Sequence, residues 1–379
     1  MKRDALVAGL KRLCAAETAP YSEITVRTAL HAWLDSLSLA HELDPHGNTL
    51  VRVRRGLPRR QVGFVAHLDH PALRVTAVKG VQVTCRAQGS LPAIGLRNAS
   101  VVFPQTATGR IKGEIAAVKM ASTGGRVDTV VIKVPARGGV PAVDDFAVLD
   151  LPGFSLKGQH LRLRVADDLA GVAAIVAALA DLAKGSAAID AWAIFTRAEE
   201  VGFHGALSVA LDGRLPRDMT VVSVECSKVV GDIELGAGPV VRLGDRAGPF
   251  DPRACALVSG AARTLAEGKT KLEFQTAMMT GGTCEATAFG VFGYATAGIA
   301  LPLLSYHNQG PRGVAPEEID LRDLEGAATL IAAVALRSGA GIEDLDLMRN
   351  DLIRASEEGR ELLALPINAN TGYPVGARF

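Results

Sequence analysis

AIDAWAIFTRAEEVGFHGA, residues 188–206, runs from an apolar strand-like stretch into two adjacent glutamates and then a glycine-bearing turn. Adjacent like charges repel, and at a strand end they are usually just solvated. Glu199 and Glu200 become informative only if other chemistry-bearing residues share their structural address.

Several do. QVGFVAHLDH, residues 61–70, is a strand-like run that delivers His67 and Asp69. MTVVSVE, residues 219–225, ends on Glu225, and LPLLSYH, residues 301–307, ends on His307. RVADD, residues 164–168, supplies Asp167 and Asp168 just before DLAGVAAIVAALADLAKG, residues 168–185. There Leu169, Val172, Ile175, Val176, Leu179 and Leu182 recur at three- and four-residue steps, which marks a helix, and Lys184 and Gly185 close it. Alternating strands and helices at both ends of the chain give an α/β domain. In open α/β sheets ligands bind in the crevice at the carboxyl ends of the strands, where these residues fall. Taken singly, each has a plain structural reading: His67 as a satisfied core histidine, Asp167 or Asp168 as a helix N-cap, Glu225 as a surface residue, His307 as a loop donor. Their common address favours a site.

The middle of the chain differs. From 75 to 157 the text is short β-type runs between turn residues, among them TAVKGVQVTCRA, ASVVFP, GRIKGEIAAVK, VDTVVIKVP and FAVLDL, with no convincing helix. We read an inserted all-β module, a small barrel, whose ends return to one α/β core formed by 1–74 and 158–379. The tail LPINANTGYPVGARF, residues 365–379, is rich in Asn, Gly and Pro and is expected to run extended over a surface.

The inventory specifies chemistry. Two imidazoles (His67, His307) and three carboxylates (Asp167, Glu200, Glu225), without a thiolate, suit Zn, Co or Mn in a working site better than structural zinc. Three carboxylates are too many for one divalent ion and suit two ions about 3.5–4 Å apart, one carboxylate bridging and a hydroxide between. Asp69, two residues beyond His67 on an extended segment, projects to the same side and is placed to hold the other imidazole nitrogen. If Glu200 binds metal, Glu199 stands beside the water as general base, and the dication offsets the repulsion within the pair. A glycosidase needs its carboxylates on opposite sides of the scissile bond, a poor match to sequence neighbours. No GxSxG elbow or phosphate loop is present.

Composition narrows the field further. The 379 residues suffice for two domains or one with an insertion. Lys+Arg 41 against Asp+Glu 40 leaves no global field for nucleic acid or an anionic membrane, and aromatics at 4% are thin material for base or sugar stacking. The five cysteines are scattered with no CxxC pair, which suggests reduced thiols in a cytoplasmic protein. MKRDALVAGLKRLC, residues 1–14, reads as an amphipathic helix because Asp4, Lys11 and Arg12 interrupt any export-signal core. No run approaches the roughly 18 apolar residues of a membrane span.

The order His-x-Asp, Asp-Asp, Glu-Glu-Val-Gly, an acidic residue after a strand and a late His resembles the dinuclear-zinc exopeptidase clan. Within it the chain is most similar, over nearly its whole length, to metallopeptidase family 42, the tetrahedral (TET) aminopeptidases, also labelled glutamyl aminopeptidases and endoglucanases. The stretch of about 100 residues between His67 and Asp167 is where that family carries a β-barrel or PDZ-like insert. TGGTCEATAF, residues 280–289, resembles its glycine-threonine motif, so Gly282, Thr283 and Glu285 are candidate substrate contacts. The resemblance implies that Asp167 bridges two zinc ions, that His67, Glu200, Glu225 and His307 hold their outer sides, that Glu199 is the base, and that Asp168 is the bridge's structural neighbour. It also implies a homo-oligomer, with twelve subunits as one form, and a role for the insert in assembly or gating. Departures from the family pattern are Glu225 where Asp is usual, His70-Pro71-Ala72 for Glu-Ile-Gly, Cys284-Glu285 after the threonine, and YHNQGPRG around the last histidine. These changes are read as clustering around substrate recognition.

The expectation is an α/β protein, a three-layer αβα catalytic domain on a central mixed sheet plus the β insert, acting as a cytoplasmic dinuclear metallo-aminopeptidase on peptides, without nucleic-acid or membrane partners. Two alternatives are a clan relative that cleaves N-acylated amino acids or other small amides, and a silent homologue that serves as a binding or assembly module.

Overall fold

The computed structural model describes all residues except 123–124, 343, 367–369, 371–374 and 376–379. Most of the Asn/Gly/Pro-rich tail lies outside the described residues. A nine-stranded mixed sheet forms the centre. Its four middle strands, in spatial order Ile189–Thr196, Val62–His67, Thr220–Lys228 and Ala295–Leu303, are mutually parallel. Their carboxyl ends therefore open on one edge. Antiparallel strands flank them, Thr49–Arg55 on one side and Val240–Asp245 on the other.

Alternation along these strands builds the three layers. Phe64, Ala66, Val222, Val224, Ile299 and Leu301 point into a large core shared with the helices Arg3–Cys14, Ile24–Ser36, Leu169–Lys184, Pro252–Glu267 and Leu321–Ala340. Val65, Ile194 and Val221 point to the opposite face, against the short helices His204–Leu211 and Glu285–Val291. Leu169–Lys184 is apolar nearly all round because it is buried between the sheet and two further helices. The first helix buries Leu6, Leu10 and Leu13, in keeping with its amphipathic reading.

Six antiparallel strands between Ala72 and Leu149 close into a barrel around Leu73, Val83, Leu96, Phe103, Ile115 and Ile132. The barrel thus begins and ends a little earlier than the 75–157 tract of β-type sequence. Phe154–Lys157, the last run of that tract, instead pairs with His160–Leu163, which continues to Glu317–Asp320 in a separate three-stranded sheet. Among the described residues no helix is long and apolar enough to cross a membrane, and all five cysteines are free and buried.

Candidate metal centre

His67 is the last residue of its strand, and register sets what stands beside it. It lies opposite Thr196, three residues before Glu199. In the neighbouring pair Val65 lies opposite Ser223, so two residues further on His67 and Glu225 are level. Glu225 is not the end of its strand, which runs on to Lys228, but it is level with the sheet edge. His307 follows Leu303 through a turn in which Ser305, His307 and Asn308 are all left-handed, at φ of 54°, 52° and 61°.

The side chains converge on Asp167. Its Oδ1 is 3.4 Å from His67 Nε2 and its Oδ2 is 3.5 Å from His307 Nε2. Glu200 Oε1 lies 3.2 Å from His307 Nε2, and Glu199 Oε2 lies 4.0 Å from His67 Nε2. One ligand atom each from His67, Glu199 and Glu225 falls within a 4.8 Å sphere of mutual distance, as does one each from His67, Asp167 and Glu200. His67 Nε2, Asp167 Oδ1, Glu200 Oε1 and Glu225 Oε2 are buried without a hydrogen-bond partner. Four orphaned polar atoms in one pocket would each cost the folded state its lost hydration. Divalent cations satisfy such a donor set, because the free atoms are two kinds of hard or borderline ligand pointing at common space. The residues present therefore fit the ions that the sequence implies.

Charge tells the same story. Burial alone lowers His67, but Glu199, Asp167 and Asp69 outweigh it and raise the imidazole well above its usual range. His307 is raised in the same way by Glu200 and Asp167 against its burial. Burial, reinforced by neighbouring carboxylates, drives Glu199 and Glu225 well above the carboxylate range. Asp167 alone is pulled down, its burial overcome by the two imidazoles on either side. Negative charge is in excess, and it is buried.

Asp69 meets the other imidazole nitrogen through its backbone carbonyl, and its side chain has a further task. His67 Nδ1 meets its carbonyl oxygen at 3.2 Å, while the carboxylate Oδ1 stands 3.6 Å away. That carboxylate instead accepts the Glu199 amide at 2.9 Å and the Glu200 amide at 3.1 Å. One side chain thus aims both glutamates. Asp168 is not a side-chain N-cap for the following helix; its Oδ1 accepts the Cys226 amide at 3.2 Å and steadies the strand that carries Glu225.

Beside Glu225 opens a small cavity of about 40 Å³ lined in part by Gly282, Thr283, Tyr306, Lys228 and Arg242. Of the three candidate substrate contacts, Gly282 and Thr283 line this cavity. Glu285 is fully buried and accepts from Thr196 Oγ1 at 2.5 Å, outside that lining. His70 is likewise buried, its Nδ1 2.7 Å from the Asp167 carbonyl. Two of the departures from the family pattern are thus buried behind the cluster and lie outside the lining of this cavity. Sequence reasoning passed over Arg242, though a basic residue within the apolar run VVRL, residues 240–243, was a visible signal. It also passed over Glu317 and the Ser90 carbonyl, which accepts from His307 Nδ1 at 2.9 Å; neither has a spacing that marks it.

A model of the M42 glutamyl aminopeptidase family matches residues 47–330, a span that holds every residue of this centre. The chain belongs to that family. As an M42 member it is a hydrolase, a metal-dependent aminopeptidase, and membership implies divalent metal ions. Among solved structures it is similar to the PhTET1 dodecamer, at 25% identity and TM-score 0.73, covering 87% of this chain and 98% of that one. The Pyrococcus horikoshii TET1 peptidase, which can assemble into a tetrahedron or a large octahedral shell, gives 24% and 0.71 over 87% and 99%. Aminopeptidase APDkam598 from the archaeon Desulfurococcus kamchatkensis gives 21% and 0.74 over 90% and 99%. No curated protein sequence matches the M42 chain.

Proposed function

We propose that the protein removes N-terminal residues from peptides, with a preference for acidic ones, at a centre of two divalent ions. His67 and Glu225 would hold one ion, His307 and Glu200 the other, and Asp167 would face both. The observation that carries this reading is the set of four buried, unpartnered donor atoms around Asp167. Zinc is the favoured ion for two imidazoles with carboxylates and no thiolate, with cobalt or manganese as substitutes. Ions bound there would supply Lewis acidity for the scissile carbonyl and a water acidic enough to lose a proton near neutral pH. Glu199 Oε2 would take that proton and hand it to the leaving amine; Asp69 fixes its reach through the backbone.

The acidic preference rests on Arg242. Its guanidinium is buried at the cavity wall, with Nη1 3.1 Å from Ser227 Oγ and, among the described residues, no carboxylate at ion-pair distance. A side-chain carboxylate entering the cavity would supply that partner. The catalytic work is assigned to the chain on either side of the barrel, and the inserted barrel to assembly of a homo-oligomer, for which the dodecameric neighbour is the template. Free, buried cysteines support a cytoplasmic location.

The test is turnover of matched aminoacyl and N-acetyl-aminoacyl amides by protein reloaded with Zn, Co or Mn. Cleavage of free-amine substrates only, fastest for glutamyl and aspartyl, is the expected result. Cleavage of acylated substrates only would move the protein to deacylation, and ion binding without turnover of either would end the enzymatic reading.

A further inference from the structure

Ser305, His307 and Asn308 occupy left-handed backbone without being glycine. Such conformations are disfavoured for residues with a Cβ and persist only where the surroundings over-determine them. The surroundings here are three buried polar side chains. Glu317, fully buried at the first position of its strand, accepts the His307 amide on Oε1 at 2.8 Å. Its Oε2 accepts the amides of Ala166 at 2.7 Å and Asp167 at 3.0 Å. Asn308 donates from Nδ2 to the Arg164 carbonyl at 2.9 Å, and its Oδ1 meets His70 Nε2 at 3.3 Å. The other nitrogen of His70 reaches the Asp167 carbonyl.

Two ligand-bearing segments far apart in sequence, 164–167 and 305–308, are thus tied through one carboxylate and one amide–imidazole pair. Strand pairing reinforces the tie, because Glu317 is registered against Leu163, just before the aspartates. We propose that Glu317, backed by Asn308 and His70, is the positioning residue that fixes Asp167 relative to His307 and so sets the spacing of the two ions. The inference rests on the two-ion reading of the site. Glu317 touches neither substrate nor the reacting atoms; it acts through the backbones of two ligands. A glutamine can accept on only one of its two terminal atoms, so Glu317→Gln must release either His307 or the Ala166–Asp167 pair.

The experiment measures zinc binding to wild type and Glu317→Gln by competition with a chromophoric chelator, alongside circular dichroism, kcat and KM. Wild type is expected to take two ions. Glu317→Gln should keep its folded spectrum, weaken at least one ion by tenfold or more, the usual scale for losing an outer support of a ligand, and lose kcat with KM within about twofold. Two ions bound to the variant with wild-type affinity would overturn the proposal while leaving the two-ion reading intact; a wild type that binds no pair of ions would overturn both. Should Glu317→Gln not fold, Asn308→Gly decides. Glycine accepts φ 61° without strain but drops both side-chain contacts, so the same tenfold loss is expected and unchanged affinity would refute the clamp.

Discussion

Glu199 and Glu200 are neighbours in sequence, given different tasks in the proposal above, and a single carboxylate, Asp69, receives both their amides. Glu199→Gln should retain both ions and lower kcat by about 10²–10⁴, the range for losing a positioned proton carrier; ion content and turnover on one sample check it. Asp69→Asn keeps one acceptor and turns the other into a donor facing an amide. Its kcat should drop about 10–100-fold without loss of secondary structure, read by steady-state kinetics and circular dichroism. Arg242→Met should lower kcat/KM for glutamyl and aspartyl amides roughly tenfold or more relative to leucyl amides, as for loss of a charge-assisted hydrogen bond. Read from sequence, the residues that carry charge at strand ends stood out, because a strand fixes where its last side chain goes. Glu317 did not, because it acts on the backbone amides of Ala166, Asp167 and His307, and the Ser90 carbonyl did not, because a backbone acceptor carries no mark in the residue type.

Among the elements, the turn between Thr196 and the helix His204–Leu211 carries both glutamates and is held by a close approach. A Cβ on Gly205 would sit 2.5 Å from the Arg197 nitrogen and 2.6 Å from its carbonyl oxygen, and 2.5 Å from Asn48 Oδ1. Backbone on one side cannot yield, so Gly205→Ala should destabilise by about 1–3 kcal/mol in denaturant unfolding and reduce turnover by moving the turn. Periodicity alone revealed the helix Leu169–Lys184 and the strand that ends on His67, whereas the strand of Glu225 runs on to Lys228 and His307 follows its strand through a turn. The barrel was legible as a run of short strands, but its limits were not. Phe154–Lys157 has the composition of a barrel strand and pairs elsewhere, since hydrogen-bond partners are a tertiary choice that propensity does not encode.

For the molecule as a whole, the excess of buried carboxylates sets the pH dependence of the ion-free protein. Burial raises Glu285 and Glu317 from 4.5 to about 7, so their folded forms hold protons that the unfolded chain has released. That contribution is fully present below pH 4.5 and is lost as pH climbs through about 7. His67 and His307, raised above 6.5, lose theirs in the same direction at higher pH. Ion-free protein should therefore melt at a lower temperature at pH 8 than at pH 5.5. Zinc at 100 times its dissociation constant should add about 2.7 kcal/mol per site and reverse much of that loss. Thermal scans with and without chelator test this; equal melting temperatures at both pH values would contradict it. The barrel is bound into the same whole through the Ser90 carbonyl at His307 Nδ1 and the close approach of Gly95 to Gly313. A foreign module grafted between Pro71 and Asp150 would have to restore an acceptor at that imidazole, so the insert is not an interchangeable accessory but a fragment of the enzyme's own wiring.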